Sequence, residues 1–180
     1  MKLFGASASL LLILLPVAAE DMNLVKLHID SFTIVGIQVR TSNAQERKES
    51  SIGRLWERLA AENLLDRIRY RADTHVVAVY NNYESDKDGP YTYTLGAKVT
   101  SDRDAPDGMN AVTVLSGDYA MFTAQGGAPP QMTVDLWKRI WSLEKPGPLH
   151  RAYKTDFEVH YSAQGDPADS RIDVYIGVVK

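Results

Sequence analysis

Apolar residues at Ile52, Leu55, Trp56, Leu59 and Ala60 recur at i, i+3, i+4, i+7 and i+8, the spacing of one greasy helix face. Ser51 precedes them and is placed to cap the first turn with its hydroxyl. A second stripe, Val134, Trp137, Ile140 and Trp141, opens after Pro129-Pro130. It is expected to stop at Pro146, in Lys145-Pro146-Gly147-Pro148. Elsewhere the period falls to two. Strands are predicted over Phe32–Thr41, 75–83, Tyr91–Val99, 112–122, Arg151–Tyr161 and 171–179. The polar segment 84–90 makes a long hairpin tip, and Gln164-Gly165-Asp166-Pro167 makes a turn. The charged stretch Asn43–Glu49 reads as a loop, and 100–110 as a polar connector.

This order of elements occurs twice. Leu55-Trp56-x-Arg58 returns as Leu136-Trp137-x-Arg139, 81 positions later. The same shift carries Gly36 onto Gly117, Tyr80 onto Tyr161 and Gly96 onto Gly177 without a gap. Each half reads strand, helix, strand, strand. Two copies of one unit folded about a common seam would place a pocket at that seam. The expected repeats run over about 24–99 and 111–180.

Composition narrows the function classes. At 180 residues with 44% apolar and 24% charged content, the chain has the make-up of a globular protein with a real core. Its net charge is −3, and no basic block is present to neutralise phosphates, so nucleic acid is not an expected partner. Residues 1–19 differ from the rest. Lys2, the apolar run 10–15 and the small residues Val17-Ala18-Ala19 form a secretory signal with cleavage expected before Glu20. The run is short for a membrane span and Pro16 closes it, so no membrane attachment is expected after cleavage. The mature domain, 20–180, would then be periplasmic or secreted. It contains no cysteine, so neither a lipid-modified cysteine nor a disulfide is available to it.

The strand Arg151–Tyr161 holds the candidate chemistry. By alternation, Tyr153, Thr155, Phe157, Val159 and Tyr161 share one face, expected to cover the core beneath the helices. Lys154, Asp156, Glu158 and His160 share the other, which could simply be solvated. The repeat argues otherwise, because it lays Glu158 over Val77 and His160 over Val79. A carboxylate set beside such an apolar surface is costly unless it meets a positive partner or takes up a proton. Aromatic residues Tyr83, Tyr91, Tyr93, Tyr119, Phe122 and Trp141 lie on elements facing the presumed seam, and their ring faces attract cations. Trp56 and Trp137, mid-face on the helices, read as core filler. The four histidines lack metal-ligand spacing, and no hydrolase elbow, phosphate loop or dinucleotide fingerprint occurs, so neither metal nor cofactor is expected. A lone histidine is likewise thin ground for haem.

Six motifs stand out: Ile34-Val35-Gly36-Ile37, Ile52-Gly53-x-Leu55-Trp56, Val79-Tyr80-Asn81-Asn82-Tyr83, Gly117-Asp118-Tyr119-Ala120-Met121-Phe122, Trp137-x-x-Ile140-Trp141 and Arg151-x-Tyr153-x-Thr155-Asp156-Phe157-Glu158. Together they resemble the GyrI-like small-molecule-binding domain, the effector-binding domain of AraC- and MerR-type regulators, over about 24–180. The resemblance implies an α+β fold of duplicated β-α-β-β units with pseudo-twofold symmetry. An antiparallel sheet would carry two helices on one side, with a ligand groove between the units. It also implies recognition of amphipathic, often cationic, small molecules, with Glu158 meeting the positive charge. Tyr119, Tyr153 and Trp141 match aromatic positions of the pattern. Tyr83, Tyr93 and His160 complete the expected ligand-binding set. Some relatives hydrolyse strained rings, so a hydrolase with Glu158 as general base, its pKa raised by burial, is the alternative. An exported chain would not act on a promoter. An exposed edge strand would let two copies pair.

Overall fold

The computed structural model describes residues 25–144, 147–161 and 169–179. The expected signal segment, Pro146 and the 164–167 turn lie outside them. The first half comprises β1 (Lys26–Ile29), β2 (Phe32–Thr41), α1 (Asn43–Glu49), α2 (Ser51–Ala61), α3 (Leu64–Arg67), β3 (Val76–Asn81) and β4 (Tyr91–Val99). The second comprises β5 (Asn110–Val114), β6 (Gly117–Gln125), α4 (Pro129–Ser142), β7 (Arg151–Tyr161) and β8 (Arg171–Val178).

All eight strands form one antiparallel sheet in the order β1-β6-β8-β7-β3-β4-β2-β5. The order is a palindrome of the two halves, with β7 and β3 at its centre. Each half lends its leading strand to the other: β1 pairs with β6, and β5 pairs with β2. Asp30 and Ser31 alone join β1 to β2, although these strands lie six positions apart in the sheet. The sheet must therefore curl until its two ends approach. The expected single strand 112–122 is broken for the same reason. At Leu115-Ser116 the chain crosses from one end of the sheet to the other.

Two apolar layers result. On the helix side, Ile37, Leu95, Tyr80, Phe122 and Val174 pack against Leu59 of α2 and Leu136 and Ile140 of α4. Inside the curl, Ile34, Val77, Val79, Val114, Tyr119 and Phe157 form a second cluster. There Phe157 stacks on Tyr175 at 4.4 Å and meets Phe32 and Tyr119 edge-on, each at 5.3 Å.

Three local expectations need correction. Asn43–Glu49 is helical, not a loop: Ser42 accepts from the Gln45 amide, yet the helix buries no residue and so leaves no apolar period to read. Ser51 is not the cap of α2. Ser50 holds that position in a left-handed conformation, and the Glu46 carboxylate accepts from the Ile52 amide at 3.0 Å. Finally, it is Phe157 and Val159, not Glu158 and His160, that turn away from the helices. Strand β7 carries an irregularity between Arg151 and Asp156, with Tyr153 at φ 50°. This bulge reverses the alternation that follows, so that Glu158 pairs with Ala78 and Asp156 with Tyr80, on the helix side. The 81-residue shift preserves facing in the helices, but it fails by one residue between β3 and β7.

Gly36 and Gly96 face each other where β2 and β4 pair. A Cβ on either would press into the opposing backbone, at Leu95 and Val35 respectively. Gly96→Ala should destabilise the fold by about 1–3 kcal/mol in urea unfolding. A neutral result would contradict the close approach of the two strands.

Candidate small-molecule binding site

Between α2 and α4, above β3, β4 and β7, lies a cavity of about 620 Å³. Among the described residues, seven aromatic rings line it: Trp56 from α2, Trp137 and Trp141 from α4, Tyr80 from β3, Tyr91 and Tyr93 from β4, and Tyr83 from the hairpin tip. The rings brace one another. Tyr80 meets Tyr93 at 4.9 Å and Trp137 at 5.0 Å, both edge-on, and the Trp56 indole N–H donates to the Tyr93 hydroxyl at 3.0 Å. Strand β3 ends at Asn81, and the left-handed turn at Asn82 releases Tyr83 toward the cavity.

At the base sits Glu158, 1% exposed. Its Oε1 accepts from the Tyr80 hydroxyl at 2.7 Å and from the Trp137 indole N–H at 2.5 Å. Its Oε2 lies 2.7 Å from Nε2 of His160, which also lines the cavity. Burial pushes the Glu158 carboxyl upward. The hydrogen bond and charge of His160, with the donors Trp137 and Tyr80, outweigh burial and hold it below the ordinary glutamate value. That is opposite to the raised pKa the general-base reading called for. Burial first, and the Glu158 charge second, push the Tyr80 and Tyr93 phenols well above their usual range, so both stay protonated.

A second buried network reaches the cavity wall through Arg151 and Tyr83. Arg151 donates to Glu144 at 2.8 Å, to Asp156 at 2.5 Å and to the Tyr83 hydroxyl at 3.2 Å. Burial opposes its charge, but Asp156 and its other partners raise the guanidinium pKa well above normal. Its positive charge is thus answered by two carboxylates, whereas Glu158 answers to a histidine.

Five of the seven expected binding residues, Glu158, His160, Tyr83, Tyr93 and Trp141, come together on the cavity wall. Tyr153 does not line it. Its ring lies 4.4 Å from the Arg151 guanidinium and its hydroxyl donates to Glu144 at 2.6 Å, so it braces the second network. Tyr119 is on the opposite side of the sheet, in the inner cluster, donating to the Leu115 carbonyl at 2.7 Å. Parity explains the error: β6 turns Ala120 and Phe122 to the helices, and so Tyr119 away. Trp56 and Trp137 are cavity walls rather than core filler alone. Their recurrence at the 81-residue shift was the available signal. Tyr91, one of the seam-facing aromatics, lies on the wall, as do Tyr80 and Arg151, which alternation and motif alone do not mark as binding residues.

A family model described as Cass2, integron-associated effector binding protein, matches residues 27–178. The chain belongs to the Cass2 family. Among solved structures it is similar to the integron cassette protein VCH_CASS2 of Vibrio cholerae, at 32% identity and TM-score 0.71. That match covers 87% of this chain and 95% of the other. The putative transcriptional regulator protein YobU of Bacillus subtilis (strain 168) is 28% identical over 156 residues, 85% of this chain and 96% of its own. SAV2435, solved bound to tetraphenylphosphonium, shares the fold at TM-score 0.70 and 16% identity, over 88% of this chain and 94% of that one. The Cass2-family protein thus carries a small-molecule effector-binding fold, in line with the GyrI-like resemblance of its motifs.

The depressed carboxyl of Glu158 ties stability to pH. Its ionised form stabilises the fold fully above the unfolded value near 4.5, and the contribution is lost as pH falls through the lower folded value. In urea unfolding from about pH 7 to 3, Glu158→Gln should show a shallower acid limb than wild type. Parallel limbs would show that the carboxylate is not held in this way.

Proposed function

We propose that this Cass2-family protein binds an amphipathic organic cation in the cavity between α2 and α4, with Glu158 answering the ligand's charge. The observation carrying this reading is a fully buried carboxyl group, hydrogen-bonded by Tyr80, Trp137 and His160, on the wall of an aromatic-lined cavity. A weakly hydrated cation with apolar arms matches both features. Its arms replace water against the rings, each ring face adding roughly 0.5–2 kcal/mol if it meets the charge. Its charge meets a carboxylate already held in place by Tyr80, Trp137 and His160. An anion would face the same carboxylate, and Arg151 on the cavity wall is already engaged by Glu144 and Asp156. The tetraphenylphosphonium carried by SAV2435 is a compound of this class.

The export reading joins this proposal. Residues 1–19 have the charge, apolar run and small-residue end of a secretory signal, so the ligand would be met outside the cytoplasm. Expressed with the whole sequence in a bacterium, the chain should be recovered from the periplasm or medium beginning at Glu20. A cytoplasmic product retaining Met1 would overturn the export reading.

Tetraphenylphosphonium and tetraphenylborate, near-isosteric ions of opposite sign, test the charge preference by quenching of the cavity tryptophans. The cation should bind more tightly, and Glu158→Gln should weaken it roughly tenfold or more, equivalent to about 1.4 kcal/mol. Equal affinity for the two ions, or for the two proteins, would refute recognition by charge.

A further inference from the structure

Resting on the cation-binding reading, we infer that His160 is the built-in counter-cation of Glu158, and that an organic cation entering the cavity discharges it, releasing one proton on binding. The geometry divides the carboxylate between two kinds of partner. Oε1 is held by neutral donors, Tyr80 and Trp137. Oε2 is held by His160 at 2.7 Å. While the cavity is empty, an imidazolium here balances a charge removed from water.

The ring is not free to leave. The His160 backbone is paired on both sides, to Val76 of β3 and Ile172 of β8. Its imidazole packs edge-on against Trp56 with centroids 4.7 Å apart, and its side chain is 14% exposed. A guest cation near Glu158 therefore meets a second cation fixed beside the same carboxylate. Within a wall of rings that repulsion is weakly screened. Loss of one proton removes it at little structural cost. A neutral ring keeping its hydrogen on Nε2 still donates to Oε2, so the site retains its shape and yields its positive charge to the guest.

Among the described residues, the neighbouring groups leave this exchange to His160. On its own strand it faces Glu158, and Arg151 farther along is bound by two carboxylates. From α2 come Trp56 and Glu57, and from α1 Glu46, which caps α2. Tyr80 of β3 and Tyr93 of β4 stay protonated through neutral pH. The hairpin tip adds Lys87, paired with Asp88, while the α4 residues on the wall are not ionisable and β8 presents Ile172 as the register partner. Carboxylates ordinarily titrate below about pH 5 and lysines above about pH 9, leaving the imidazole to change charge between them.

The sign follows. Protonated His160 opposes the guest, so affinity for a permanently charged cation falls as pH drops through the histidine range and levels off above it. A one-proton exchange limits the slope to about tenfold per pH unit. Calorimetry of tetraphenylphosphonium binding across about pH 5–8, in buffers of different ionisation heat, should show proton release that diminishes as pH rises. His160→Gln should bind the ion with a flattened pH profile and no release. Binding of the ion with no pH dependence, or release unchanged in His160→Gln, would each overturn the exchange while sparing the cation reading. Absence of binding at every pH would sink both.

Discussion

A carboxylate shut away from water must be satisfied where it stands, and much of this molecule is arranged to satisfy Glu158. The Tyr80 hydroxyl comes from the neighbouring strand, the Trp137 indole from the helix above, and the His160 imidazole from two residues along the same strand. Each partner is also a wall of the cavity. The groups that keep the charge ionised therefore shape the space beside it, and altering the electrostatics alters the pocket. Tyr80 shows this coupling most plainly. It donates to the carboxylate, meets Tyr93 and Trp137 edge-on, and is itself held protonated by burial and by the charge it serves.

The second network complements the first. Arg151, Glu144, Asp156, Tyr83 and Tyr153 bind one another at the start of β7, next to the bulge that redirects the strand. Asp156 also accepts from the Gly177 amide at 2.8 Å, fastening the irregular stretch to β8. An extra residue in a strand leaves backbone groups out of register, and a buried ion cluster is one way to hold such a bend. The left-handed Tyr153 and the Arg151 cluster thus place Glu158 and His160 on the helix side of the sheet.

That bend marks the limit of what the amino-acid order could reveal. Two amphipathic helices, the β3–β4 hairpin and the α+β duplication were legible because apolar spacing and turn residues report them directly. Glu158 was legible as a buried charge, but through faulty geometry. A gapless shift set it beside Val77 and Val79, whereas it lies beside Ala78 with the valines on the reverse face. Alternation is a parity, and one inserted residue inverts it without altering the pattern on either side. Tyr119 was misplaced by a related error of facing. Helix α1 buries nothing, α3 is a single turn, and β1 spans four mostly exposed residues, so none has a period to detect. The roles of Trp56 and Trp137 depend on a hollow between two helices, which burial preference in a linear pattern cannot distinguish from a solid core.

The traded leading strands bear on how such a duplication could arise. A lone half would present the flank of its first long strand unpaired and carry a short leading strand with nowhere to lie, in reach of an identical twin. Two such halves would complete one another by reciprocal exchange. The tandem chain is thus architecturally a swapped dimer written as one polypeptide, and once its halves were joined, one could gain an acid and a bend that the other never acquired.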